Sequence, residues 1–201
     1  NASTPLTLIQ KSRTEMGTEL AEWTRKASQC DFLQHGVSLT RAQARRESEL
    51  EILFQSMLLT DAKDSDYDYK AISMREVMKY CKDIRGNYAE NQREQIMSTL
   101  DYLSEAFVEK HKFLKKSNVP MVFIMGNLAM QKDIKPSDFK TFIDSFAGSE
   151  CLEYEVNTGS GNIKRIKTEG RLMAMFKCFK DYFKLPDEEG FTPIGSNKDA
   201  A

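Results

Sequence analysis

One uncharged stretch, Val119-Pro120-Met121-Val122-Phe123-Ile124-Met125-Gly126-Asn127-Leu128-Ala129-Met130, sets the terms on which this chain can fold. It is far short of the roughly 20 apolar residues that span a bilayer, so no membrane partner is expected and the rest of the chain must wrap it. Val122-Phe123-Ile124 alone would suit a strand. Pro120 at a first helical position and the Leu128-Ala129-Met130 continuation favour a helix instead. A helix that is apolar all round needs neighbours all round. The segment Pro120 to Met130 therefore reads as the central helix of an all-α, irregular single bundle of about six to eight helices.

The surrounding helices announce their starts. Thr7 to Gln10, Thr40 to Gln43 and Ser73 to Glu76 each place a hydroxyl three residues before Glu or Gln, the spacing of a capping box. After Thr40, Leu50, Leu53, Phe54, Met57 and Leu58 form the buried stripe of a helix of about five turns. Met74, Val77, Met78, Cys81 and Ile84 repeat the pattern, as do Ile96, Leu100, Leu103 and Phe107 within a helix expected from Asn91 to Leu114. Phe139, Phe142, Ile143 and Phe146 follow Pro136, and a last helix from about Asn162 to Lys184 carries Leu172, Met175, Phe176, Phe179, Tyr182 and Phe183. With 201 residues, one domain over 3–185 is expected, followed by a flexible tail over 186–201 and preceded by a cloning remnant at residues 1–2.

Familiar catalytic patterns are missing. Cys30, Cys81, Cys151 and Cys178 lack the close spacing of a zinc ribbon or redox dithiol, so neither a metal nor a cofactor is expected, and the thiols read as reduced cysteines of a cytoplasmic protein. The segment Asp64 to Tyr69 mimics the opening of a calcium loop but has Tyr69 where glycine is required and Arg75 at the twelfth position, so it reads as an acidic turn. No Gly-x-Ser-x-Gly elbow is present, and neither His35 nor His111 has a metal-binding or nuclease context.

One oddity remains, in Gly159-Ser160-Gly161-Asn162 and the basic residues after it. The turn fails the nucleotide-binding spacings, but Lys164, Arg165 and Lys167 crowd a helix amino end that already carries partial positive charge. Residues 162–184 hold seven Lys or Arg against two Asp or Glu, in a chain whose formal net charge is −1. Two sources of negative charge stay open: a phosphate held by the amides of Gly159 to Asn162 with Lys164, Arg165, Lys167 and Arg171, or the upstream Glu150, Glu153 and Glu155. A second basic cluster, Lys110, Lys112, Lys115 and Lys116, is placed at the carboxyl end of the helix before Pro120, where cations are stabilising in themselves.

Taken in order, "STPLTLIQKSRTEMGTELAEW", "RRESELEILFQSMLLT", "SMREVMKYCKDIRGN", "LDYLSEAF", "VPMVFIMGNLAM", "DFKTFIDSF" and "NTGSGNIKRIKTEGRLMAMFKCFKDYF" resemble the helical region of GmrSD-type bacterial and phage proteins, over Ser3 to Phe183. In that family the helical part follows an amino-terminal domain with a ParB-like nuclease fold. The resemblance implies that such a domain is this chain's missing partner. The family's Asp-Gly-Gln-Arg type motif has no counterpart, since no Asp-Gly dipeptide occurs, and the downstream His-x-x-Pro motif is also absent. No catalytic residue carries over. The expectation is a non-catalytic scaffold or recognition domain of a defence-type nuclease, contacting DNA or nucleotide phosphate. The alternative is a protein-interaction module without nucleic-acid binding, and a third reading is an enzyme of a type without a recognisable motif.

Overall fold

The computed structural model describes residues 6–64 and 69–186. The expected tail beyond Pro186, the expected remnant at residues 1–2 and most of the expected acidic turn between Asp64 and Tyr69 lie outside those residues. Ten α-helices fill the description: α1 (Leu8–Glu15), α2 (Thr18–Ala27), α3 (Arg41–Ala44), α4 (Ser48–Asp64), α5 (Met74–Asp83), α6 (Glu90–Ala106), α7 (Val119–Gln131), α8 (Pro136–Gly148), α9 (Leu152–Glu155) and α10 (Arg165–Phe183), with a π-helical turn at Phe32–Gly36 between α2 and α3. Eight of the α-helices have eight residues or more; α3 and α9 are single turns. No helix among the described residues is long and apolar enough to cross a membrane.

The apolar segment is the hub, as its composition demands. Ten of the thirteen residues of α7 are buried, and α4, α6, α8 and α10 all pack against it. Gly126 lets α6 approach closely: a Cβ there would lie 2.7 Å from Leu103 Cδ2. The one polar side chain buried on α7, Asn127, donates to Thr99 Oγ1 at 2.8 Å and accepts from Gln131 Nε2 at 2.9 Å. Its hydrogen bonds are satisfied, so burial costs little and the register of α7 on α6 is held.

Capping predicted from the sequence is realised at three helix starts. Thr7 and Thr40 form reciprocal boxes with Gln10 and Gln43, and Ser73 accepts the Glu76 amide. Helix boundaries differ from expectation at three places. The helix after Thr40 is broken between α3 and α4, where Glu47 takes a left-handed φ of 55°. The helix expected to reach Leu114 ends at Ala106, because Phe107 turns inward against Phe32 and Phe139, with ring centroids 6.0 and 6.3 Å away. The last helix begins at Arg165 instead of Asn162, since the preceding residues are drawn into an antiparallel bridge with Lys70–Ile72: the Ile72 amide donates to Ile163 and the Arg165 amide to Lys70.

Candidate functional site

The early end of α6 relocates the second basic cluster. Lys110, Lys112, Lys115 and Lys116 do not close a helix, which corrects the expected macrodipole role; they lie on the loop from α6 to α7. That loop is folded onto the π-helical turn, with the His111 amide donating to Gly36 and the Ser38 amide to Leu114. Lys115 and Lys116 are thereby brought just before the amino end of α7, where no acidic residue occupies the first turn.

The Gly159–Gly161 turn takes a different form from a phosphate cradle. Gly159 and Gly161 have φ of 77° and 73°, a conformation glycine adopts without steric cost. The turn aims carbonyl oxygens inward: Lys167 Nζ donates to Ser160 O at 3.0 Å and to Thr158 O at 3.4 Å, while the Asn162 amide donates to Gly159 O. The chain's own lysine is held there. Ser160 is exposed and makes its contact through its carbonyl.

The helix-start charges are also distributed differently from either expected scheme. Arg165 pairs with Glu169 at 2.7 Å, one turn along α10, and lies over the Tyr69 ring. Glu153 pairs with Lys177 at 2.9 Å, which corrects the expectation that the upstream acids would serve Lys164 and Arg165. The carboxylate of Glu153 holds the Lys177 ammonium pKa above its ordinary value. Lys164, at the N-cap of α10, is exposed and folds beside Gly161.

Arg171, expected among the surface cations, is inside, 1% exposed. Its Nη1 donates to Ser117 O at 2.5 Å and its Nη2 to Asn162 O at 2.8 Å. One guanidinium thus ties the loop before α7 to the loop before α10, and the two basic segments meet there. No carboxylate pairs with it among the described residues, and its buried Nε has no hydrogen-bond partner. Burial pushes the Arg171 pKa down from its ordinary value, and the neighbouring Tyr154 opposes the shift. Tyr154 is no counter-anion at neutral pH, because burial pushes its own hydroxyl up to about 12. Arginine retains its proton across the physiological range, so an interior positive charge stands here without a carboxylate partner among the described residues.

Beside Arg171 a cleft of about 410 Å³ opens, walled by Gln43 of α3, Glu51 and Gln55 of α4, Ile72, Lys115–Ser117, Asn162 and Ile163. Lys116 pairs with Glu51 at 2.6 Å, and Gln55 donates to Ile72 O at 2.8 Å. Lys115 is exposed, and the Gln43 amide oxygen is occupied by the Thr40 amide, leaving its nitrogen as a donor. Three cations and one carboxylate line this cleft, a volume within the range of small-molecule sites. Of the residues named from the sequence, Asn162, Arg171, Lys115 and Lys116 come together here; Gly159, Ser160, Gly161, Lys164, Arg165, Lys167, Lys110 and Lys112 do not line it.

Other chemistry is not favoured by the geometry. His111 accepts the Phe113 amide at Nδ1 and faces Asp144 at 2.8 Å through Nε2, so both ring nitrogens are occupied. No group of three or more His, Cys, Asp or Glu suited to a metal occurs among the described residues. Comparison with protein-family models, curated proteins and solved structures found no match.

Proposed function

We propose that this chain is a non-catalytic helical scaffold and recognition domain of a GmrSD-like, nuclease-related protein, and that its cleft at Arg171 takes a phosphate group of DNA or a nucleotide. What carries the reading is the buried Arg171 guanidinium, which has no carboxylate partner among the described residues and shares a wall with Lys115 and Lys116. A buried unpaired charge costs several kcal/mol, and an anion in the cleft would offset part of that cost. In this reading Lys115 and the Gln43 amide, both lining the cleft, contact phosphoryl oxygens, and Lys116 joins them by leaving Glu51. Arg171 contributes through its field, since its Nη groups are committed to carbonyls.

Binding of a short duplex at two salt concentrations tests this. With two or three phosphates neutralised, affinity should fall about 10- to 40-fold between about 50 and 200 mM salt. The Lys115→Ala/Lys116→Ala variant should flatten the dependence by about two phosphate contacts' worth of slope. Binding that ignores salt, or that these replacements leave unchanged, contradicts the reading.

A second reading, a protein-interaction module, has its own support. Leu152 at the start of α9 and Val156 at its C-cap are each 70% exposed, and Ile166 at the start of α10 is 76% exposed. Solvated apolar side chains of that size suit a docking face for the catalytic domain that the family resemblance implies. Absence of any DNA or phosphate binding favours this reading over the first.

A further inference from the structure

The fold makes a thiol pair that the 27-residue sequence separation hides: Cys151 Sγ and Cys178 Sγ lie 3.9 Å apart. Cys151 immediately precedes α9 and Cys178 sits in the last third of α10. Both are half-buried, as is Cys30, whereas Cys81 is sealed in the core. The same two segments are held together by the Glu153–Lys177 ion pair, each residue adjacent or nearly adjacent to a cysteine. A disulfide bond is about 2.05 Å long, so closure requires the two sulfurs to approach by about 2 Å.

We propose that Cys151 and Cys178 are a redox-modification site that closes to an intramolecular disulfide by exchange with a small-molecule disulfide. Cys151 releases its proton and its thiolate attacks one sulfur of the small disulfide, breaking that bond and expelling one thiolate, which takes up a proton. Cys178 then releases its proton and attacks the Cys151 sulfur, expelling the second small thiolate, which is protonated in turn. Two protein thiols are oxidised and one small disulfide is reduced to two thiols. Burial and the neighbouring Cys151 raise the Cys178 thiol pKa, and the balance is the same whichever thiol attacks first.

The bond would enclose the Gly159–Gly161 turn, Asn162 and Arg171 in a closed loop, fixing α9 and the turn onto α10. Cys151 also lines a second cleft, of about 530 Å³, together with Lys115, Ser117 and Tyr154. Cross-linking is therefore placed to set the shape of the surface next to Arg171. The disulfide chemistry stands or falls independently of phosphate binding.

Treating the full chain with oxidised glutathione and mapping its peptides without reduction tests the proposal. Free thiols should fall from four to two, with one linked peptide pair joining Cys151 to Cys178. The thermal midpoint of the cross-linked protein should rise by roughly 5–10 °C, as expected for a closed loop of this length. Cys151→Ser and Cys178→Ser should each stop at a mixed disulfide with glutathione and show no such rise. Stable glutathione adducts on both cysteines of the unmodified sequence, links that involve Cys30 as often, or four unreacted thiols would each overturn it.

Discussion

Phe142→Ala should lower the unfolding free energy by about 3–5 kcal/mol, among the largest losses available to a single substitution in this chain. Phe142 is 1% exposed, and its ring meets those of Phe139, Phe146, Phe179, Tyr182 and Phe183 at centroid distances of 6.1, 6.0, 5.3, 5.5 and 5.8 Å. The contact with Phe179 is edge-to-face at 88°, an arrangement that adds to the area buried. Because α8 and α10 supply opposite walls of this cluster, neither can close over the vacated volume without moving the other. Urea unfolding should report the loss with the m-value unchanged, and the thermal midpoint should drop by roughly 10 °C. Phe113→Ala, at a half-buried ring that touches Phe146 and Tyr154, should cost less. Equal losses at the two positions would show that the α8–α10 aromatic cluster does not hold the bundle together as described.

Arg171→Met is the second, and it bears on the cleft as well as on stability. The substitution keeps the volume of the stem and removes the donors to Ser117 O and Asn162 O. Asn162 O retains a hydrogen bond from Thr168 Oγ1 at 3.3 Å, so the principal loss falls on Ser117. A hydrogen bond from a charged donor contributes about 1.5–3 kcal/mol, and relief from burying a guanidinium without a carboxylate offsets part of that. Counting both lost bonds and subtracting that relief, the net expectation is a loss of about 2–4 kcal/mol. Arg171→Lys, with one ammonium in place of a planar fork, should fall between the methionine variant and the parent. A methionine variant as stable as the parent would mean that the guanidinium does not tie the two helix starts together.

Much of this architecture could be read from residue patterns because local and tertiary signals agree. The uncharged Val119–Met130 segment demanded neighbours on all sides, and the hydroxyl-to-Gln spacing at Thr7 and Thr40 located two helix starts. Boundaries failed where a long-range contact overrode local propensity: Phe107 left its helix to reach Phe32 and Phe139, and the bridge with Lys70–Ile72 delayed the start of α10. The interior position of Arg171 did leave a trace. Thr168, Arg171, Leu172 and Met175 follow helical spacing along one face, and all four are buried. Reading Arg171 by charge alone placed it with the solvated cations; reading it by phase would have placed it in the core. The meeting of Cys151 with Cys178 had no such trace, since it depends on how the single-turn α9 lies against α10.

The proposed anion-binding cleft, in which Arg171 joins two basic segments, is tested most directly by titrating inorganic phosphate into isotope-labelled protein and following each backbone amide by NMR. Saturable shifts should concentrate at Lys115–Asn118 and Asn162–Lys164, weaken as salt rises, and disappear in Lys115→Ala/Lys116→Ala while the variant stays folded. Shifts confined to Gly159–Gly161, spread over the surface without saturation, or absent altogether would contradict the claim.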